Sequence, residues 1–64
     1  MLIVYEDPGM GFQITDVPVN DLKTFHPISN KGEALRLQRE AQRRRPEIRW
    51  VIVGEGPYSV QGNV

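Results

Sequence analysis

Residues 30–53 read NKGEALRLQREAQRRRPEIRWVIV and join a capped helix to an apolar strand. Asn30 is a favourable N-cap, and Glu33 at the third helical position completes a variant of the capping box. Pro46 cannot continue a helix, so the pattern predicts a helix over residues 31–45. The rest of the chain is expected to pack on this unit or to pair with its strand.

The two sides of the predicted helix differ in character. When residues are plotted at about 100° each, small and apolar side chains fall on one narrow face, namely Ala34, Leu37 and Ala41. The opposite side carries the charges, and its basic members are Arg36, Arg39, Arg43 and Arg44. The helix is therefore expected to lie on a sheet with its arginines in solvent.

Other segments carry strand signals. Residues 2–5 are an apolar, β-branched and aromatic run that predicts a strand over residues 2–6, and residues 12–17 alternate between apolar and polar side chains. The proline and glycines between them predict a turn, so the two segments are expected to form a hairpin. Residues 48–53 are the third strand, and residues 58–61 follow a Gly-Glu-Gly-Pro turn as a candidate fourth.

These segments predict an α+β fold, a small ββαβ(β) arrangement that makes one compact domain of residues 1–64. Its sheet has three or four mostly antiparallel strands, and one helix packs across one face. The first strand is expected in the centre, beside the second and the third, with the fourth at an edge. A central position explains why the first strand is apolar on both faces.

A single helix leaves the other face of this sheet without a helical cover. Either Ile3 and Tyr5 or Leu2 and Val4 lie on that face, together with one parity of the third strand. The candidate interface residues are Ile3, Tyr5, Val51 and Val53. Monomeric proteins rarely expose a contiguous apolar patch beyond a few hundred Å² unless it binds something. Two interpretations stay open: the segment 18–29 folds over this face, or the face is an interface.

The composition restricts the class of protein. With 64 residues the chain is sized for one domain, near the lower limit for a core without crosslinks. The absence of cysteine excludes disulfides and thiolate metal sites and favours the cytoplasm. No apolar run approaches the roughly 20 residues that span a bilayer, so no membrane partner is expected.

Charge is unevenly distributed although the formal net charge is zero. Residues 1–30 sum to −3 (one base, four acids), and residues 31–49 sum to +4 (seven bases, three acids). An asymmetry of this kind can steer an oppositely charged partner or hold the two halves of the chain together.

Candidate catalytic residues are sparse. His26 is the only histidine, and its place between Phe25 and Pro27 in a predicted loop is typical of a surface histidine. Glu6 and Asp7 are neighbours at the end of a strand and point to opposite faces, which weakens an acid/base interpretation. We therefore expect no enzymatic activity, no catalytic or metal-binding residues and no cofactor.

Nucleic-acid binding is an alternative function, through the four helix arginines named above. Their guanidinium groups would follow a phosphate backbone, and Trp50, Tyr5 or Phe12 would offer stacking surfaces. The zero net charge and the lack of a recognisable nucleic-acid-binding motif argue for protein binding instead.

A resemblance suggests a further alternative. Lys31-Gly32, a helix that ends in Arg-Arg-Arg-Pro, and the strand and turn that follow it resemble the β-α-β segment in the nucleotide-sugar domain of GT-B glycosyltransferases. In that family the lysine before the glycine contacts the donor diphosphate, which maps to Lys31 and implies phosphate or nucleotide-sugar binding. The resemblance covers residues 31–57, and Phe25-His26-Pro27-Ile28 replaces the arginine-bearing strand that the family has before the lysine.

The function that the sequence favours is a small non-enzymatic protein-interaction module. It would dock through the exposed sheet face or the arginine side of the helix, either on a second copy in a homodimer or on a host protein. Short chains of this kind are common among phage and mobile-element products that modulate host machinery, and the host-protein interpretation rests on that analogy.

Overall fold

The computed structural model describes residues 1–18, 20–21 and 28–63. The elements are β1 (Leu2–Asp7), β2 (Gly11–Asp16), α1 (Lys31–Arg44), β3 (Arg49–Val53) and β4 (Ser59–Asn63). Four antiparallel strands form one open sheet, and α1 packs against it. The predicted α+β class and the single helix across the sheet are confirmed, and the candidate fourth strand is present.

Part of the predicted loop cannot be compared with the structure. His26 with its neighbours Phe25 and Pro27 lies outside the described residues, as does most of the segment 18–29 that was expected to cover the second sheet face or leave it open. The described end of this segment, Ile28, forms an antiparallel bridge with Tyr58, whose N–H donates to the Ile28 carbonyl at 2.7 Å.

The strand order is β2-β1-β4-β3, which corrects the predicted neighbours. β1 is an interior strand as expected, but β4 and not β3 lies beside it. The prediction that the fourth strand is an edge strand is therefore wrong. The physical reason lies in the small side chains of β4: Val60 is buried, and Gly62 leaves the space that Trp50 occupies. β4 thus fits the centre of the sheet although its sequence has little apolar character.

The hairpin between β1 and β2 is closed by Asp7. Its Oδ1 accepts hydrogen bonds from the N–H groups of Gly9 at 2.7 Å and Met10 at 3.1 Å. Gly11 then adopts φ 79°, a left-handed conformation that favours glycine. This turn fixes the register that places Phe12 and Ile14 against the core.

Helix α1 has the predicted cap. The Asn30 side chain accepts from the N–H of Glu33 at 3.1 Å, which satisfies one of the amides that a helix start leaves unpaired. At the other end the Arg45 N–H donates to the Ala41 carbonyl at 2.8 Å. The helix ends at Arg44, one residue earlier than predicted.

The core lies between α1 and the sheet. Its buried members are Val4, Ile28, Ala34, Leu37, Ala41, Ile48, Trp50 and Val60. All three residues of the predicted inner helix face belong to it, and two of them are alanines, so the helix backbone approaches the sheet closely. Within the described part of the chain, no helix is long and apolar enough to cross a membrane.

Candidate interaction surfaces

The sheet face opposite α1, here called the far face, carries the four predicted interface residues. The register places Thr15, Ile3, Gln61 and Val51 in one row across the sheet, and the next row contains Gln13 beside Tyr5 and Ser59 beside Val53. Side chains alternate along a strand, so these residues point away from the helix-covered core. Two separate segments of sequence therefore meet on one surface.

The four residues differ greatly in exposure. Ile3 is only 1% exposed and is an interior residue, whereas Val53 is 41% exposed. Tyr5 and Val51 are half-buried. The accessible part of the predicted interface therefore consists of Tyr5, Val51 and Val53, without Ile3.

The two accessible valines lie in line with Arg49 along β3. Arg49, Val51 and Val53 alternate along β3 on the far face and are spaced about 7 Å apart, and we call them the β3 strip. Arg49 is exposed, and among the residues that the structure describes no carboxylate bonds to it. The strip combines a positive charge that no described carboxylate pairs with and two partly exposed apolar side chains.

The outer edge of β3 is covered by two glutamines of α1. Gln42 donates to the Ile48 carbonyl at 2.9 Å and accepts from the Trp50 N–H at 3.4 Å. Gln38 donates to the Trp50 carbonyl at 3.1 Å. Side chains thus take the place that another strand would occupy at this edge.

Sequence reasoning missed these glutamines. They are one turn apart on the flank of α1, beside the inner face that Ala34, Leu37 and Ala41 define. The sequence did carry a signal for this role: two glutamines lie one turn apart on a helix that leads directly into a strand. A side-chain amide can both donate and accept, so it can bond the N–H and the C=O groups of a strand edge.

Arg36, at the beginning of the predicted basic face, is held by two carboxylates. It donates to Glu6 of β1 at 2.7 Å and also to Glu33 on its own helix. The hydrogen bond from Arg36 holds the pKa of Glu33 below its ordinary value of 4.5. This arginine joins the helix to the sheet, and its charge is largely compensated.

The end of the basic face is also paired. Arg43 and Arg44 both donate to Glu40, the latter at 2.9 Å. Hydrogen bonds from Arg43 and Arg44 lower the pKa of Glu40, and the bond from Arg43 has the larger effect. Arg44 additionally lies over the Phe12 ring, 4.3 Å from its centroid, in a cation–π contact. Of the four predicted basic-face residues, Arg39 is the one that makes no ion pair with another described residue.

An open pocket of about 200 Å³ lies at the start of α1. Its lining comprises Glu6, Ile28, Ser29, Asn30, Glu33 and Leu37. Two carboxylates give it negative charge, and the Asn30 cap already binds a backbone amide, so the pocket is unfavourable for an anion. Lys31, the residue that the glycosyltransferase resemblance selects, is exposed beside it and does not line it.

The chain around Lys31 also differs from the β-α-β unit of that resemblance. Of the described residues directly before α1, Ile28 forms an isolated bridge with Tyr58, and this bridge is antiparallel. Every strand pair of the sheet is antiparallel as well. Within the same described ranges, no group of three or more histidines, aspartates or glutamates is placed to hold a metal ion.

Comparison of the chain with protein-family models, with curated proteins and with solved structures finds no match.

Proposed function

We propose that this chain is a non-enzymatic protein-interaction module that docks through the β3 strip of its far face. The observation that carries the proposal is the line of Arg49, Val51 and Val53 on a face that α1 does not cover. Hydrophobic contact at the two valines would supply affinity, and the cation would set orientation.

The proposed partner is a protein that presents apolar side chains next to a carboxylate. Val51 and Val53 lose water on contact with apolar groups, which is favourable by roughly 25 cal/mol per Å² of apolar surface. Arg49 would bind the carboxylate, since its charge lacks a partner among the described residues. A host protein bound by a phage or mobile-element product is one such partner, and the cytoplasm is the proposed compartment.

The basic side of the helix supports a docking function less well. Carboxylates already bond Arg36, Arg43 and Arg44, so these three charges attract an acidic partner less strongly than an arginine without such a bond. For this reason we place the docking surface on the far face and keep nucleic-acid binding as the alternative to be tested.

The experiment compares two charge insertions at apolar positions of matched exposure. Val53→Lys places a charge on the β3 strip, and Leu35→Lys places one on the helix, where Leu35 is 39% exposed against 41% for Val53. Each variant is immobilised and challenged with an extract of native host cells, after circular dichroism has shown that it is folded. We expect Val53→Lys to lose the proteins that wild type retains and Leu35→Lys to keep them.

Two results would contradict the proposal. One is equal retention by Val53→Lys and wild type, and the other is equal loss by both variants. Arg49→Glu is the second probe, because reversal of the cation should remove the same proteins without touching an apolar contact.

A further inference from the structure

Among the described residues, nothing covers the outer edge of β2, whereas two glutamines cover the outer edge of β3 at Ile48 and Trp50. The Val17 N–H donates to the Met1 carbonyl at 2.9 Å, which places Val17 in the ladder with β1. Because ladder bonds alternate along a strand, the N–H and C=O groups of Phe12, Ile14 and Asp16 point outward. No hydrogen bond from any described residue reaches those backbone groups.

β2 also has few of the features that protect an edge strand, since its one charged residue, Asp16, is its last. Its sequence from Gly11 to Asp16 contains no proline and no lysine. Its two apolar side chains, Phe12 and Ile14, are only half-buried against the core. An exposed strand of this kind is a template for another strand.

The side chains of β2 indicate which strand would fit. Two copies of β2 can pair antiparallel about a twofold axis that passes through Ile14. The outward N–H and C=O groups of one copy then bond those of the other along the strand. The two Ile14 side chains would meet on the helix side of the sheet, and Phe12 would lie opposite Asp16 of the second copy. Gln13 would lie opposite Thr15 of the second copy on the far face.

Charge complementarity singles out this register. The Arg44 guanidinium lies 4.3 Å from the centroid of the Phe12 ring, and Asp16 of the second copy would lie directly opposite Phe12 on the same face. The Asp16 side chain is 76% exposed, and its Oδ1 accepts from the Met1 ammonium at 2.8 Å, which leaves Oδ2 for Arg44 of the second copy. Arg44 bonds Glu40 through its Nε, so its terminal Nη groups can meet this Oδ2 while the contact with Glu40 is kept. Twofold symmetry makes the contact twice.

We propose that two copies of this chain associate through β2 into a dimer with one continuous eight-stranded sheet. The inference goes beyond the proposed function, because it uses the opposite edge of the sheet and leaves both β3 strips at the outer ends. A dimer would present two strips and so bind a repeated partner with avidity.

The test is a charge exchange read by sedimentation equilibrium. We expect wild type to dimerise, and Asp16→Arg and Arg44→Asp each to weaken the dimer about tenfold or more. The double variant should restore association to within a fewfold of wild type, since the two charges are exchanged across the interface. Arg43→Asp is the matched control, because Arg43 shares Glu40 with Arg44 but does not lie over Phe12.

Amide hydrogen exchange provides a second readout that does not depend on a variant. Exchange at Ile14 should slow as protein concentration rises, whereas exchange at Ile52, an outward amide of β3, should not change. A wild type that stays monomeric at its highest soluble concentration would overturn the proposal. The proposal would also be overturned if Asp16→Arg and Arg44→Asp each left the dimer intact, or if the double variant failed to restore association.

Discussion

The indole of Trp50 lies across Gly62, the residue directly opposite it on β4. A Cβ at Gly62 would be 2.6 Å from Cζ3 of Trp50 and 2.9 Å from Cγ2 of Ile48. The largest side chain of the core therefore occupies space that only glycine leaves open. This contact explains how a strand with little apolar character becomes central.

Gly62→Ala should destabilise the fold by about 1–3 kcal/mol, because the added methyl group forces Trp50 or Ile48 out of its position. Urea unfolding followed by tryptophan fluorescence measures the change directly. Gly9→Ala is the control, since a Cβ there would meet only the Asp7 side chain at 3.5 Å. Equal stability of Gly62→Ala and wild type would show that Trp50 does not fill this space.

Gln42→Ala should cost about 1 kcal/mol of unfolding free energy, since it removes the side-chain partners of the Ile48 carbonyl and the Trp50 N–H. The Trp50 amide should also exchange faster with solvent. Arg39→Ala, on the same helix but without an ion pair to a described residue, should have little effect. If Trp50 exchange is unchanged in Gln42→Ala, the glutamine does not protect this edge.

Stability should fall with acidification below about pH 4.5. Arginine hydrogen bonds lower the pKa values of Glu33, Glu40 and Glu47 in the folded chain from 4.5. A lowered folded pKa gives stabilisation that is present above the unfolded value and is lost as pH falls through the folded one.

Glu40→Gln tests this dependence. It should reduce stability at pH 7 slightly and flatten the loss of stability at acidic pH, as thermal unfolding over a pH series would reveal. Glu47 is exposed and the other two carboxylates are partly exposed, so solvent screens these ion pairs and the effect should also shrink with added salt. A wild-type stability that rises as pH falls through this range would contradict the assignment.

Nucleic-acid binding should be weak, because carboxylates compensate three of the four basic-face arginines. Electrophoretic mobility shifts with mixed DNA and RNA at low salt provide the measurement. The alternative function would be established by a mobility shift that weakens steeply as salt is added. The shift should then be lost in the double variant Arg43→Glu plus Arg44→Glu and kept in Arg49→Glu.

Local signals in the sequence were sufficient for the elements and their faces. The Asn30 cap, the alanine and leucine face of α1 and the alternation of β3 each depend on residues close in the chain, and the structure confirms them. The strand order depends on a distant fit, the space that Gly62 leaves for Trp50, which no periodicity reports.

The candidate site was only partly predictable for a similar reason. Alternation put Val51 and Val53 on one face of their strand, but the register through β4 decides that Ile3 shares that face. Exposure depends further on what packs there, since the side chain of Ile3 is 1% exposed and that of Val53 is 41% exposed. The ion pair of Arg44 with Glu40 has a local cause, the i,i+4 spacing on the helix, although it was not predicted, whereas the position of Arg44 over Phe12 depends on the sheet.

Residue-level carbene footprinting of the chain, free and bound to partner from native host extract, tests the docking surface most directly. Carbenes label accessible side chains, so a docked surface loses label. We predict that Val51 and Val53 become protected on binding while Leu35 and Met10 keep their label. Protection of Leu35 and the helix arginines, with full labelling of Val53, would contradict docking through the far face.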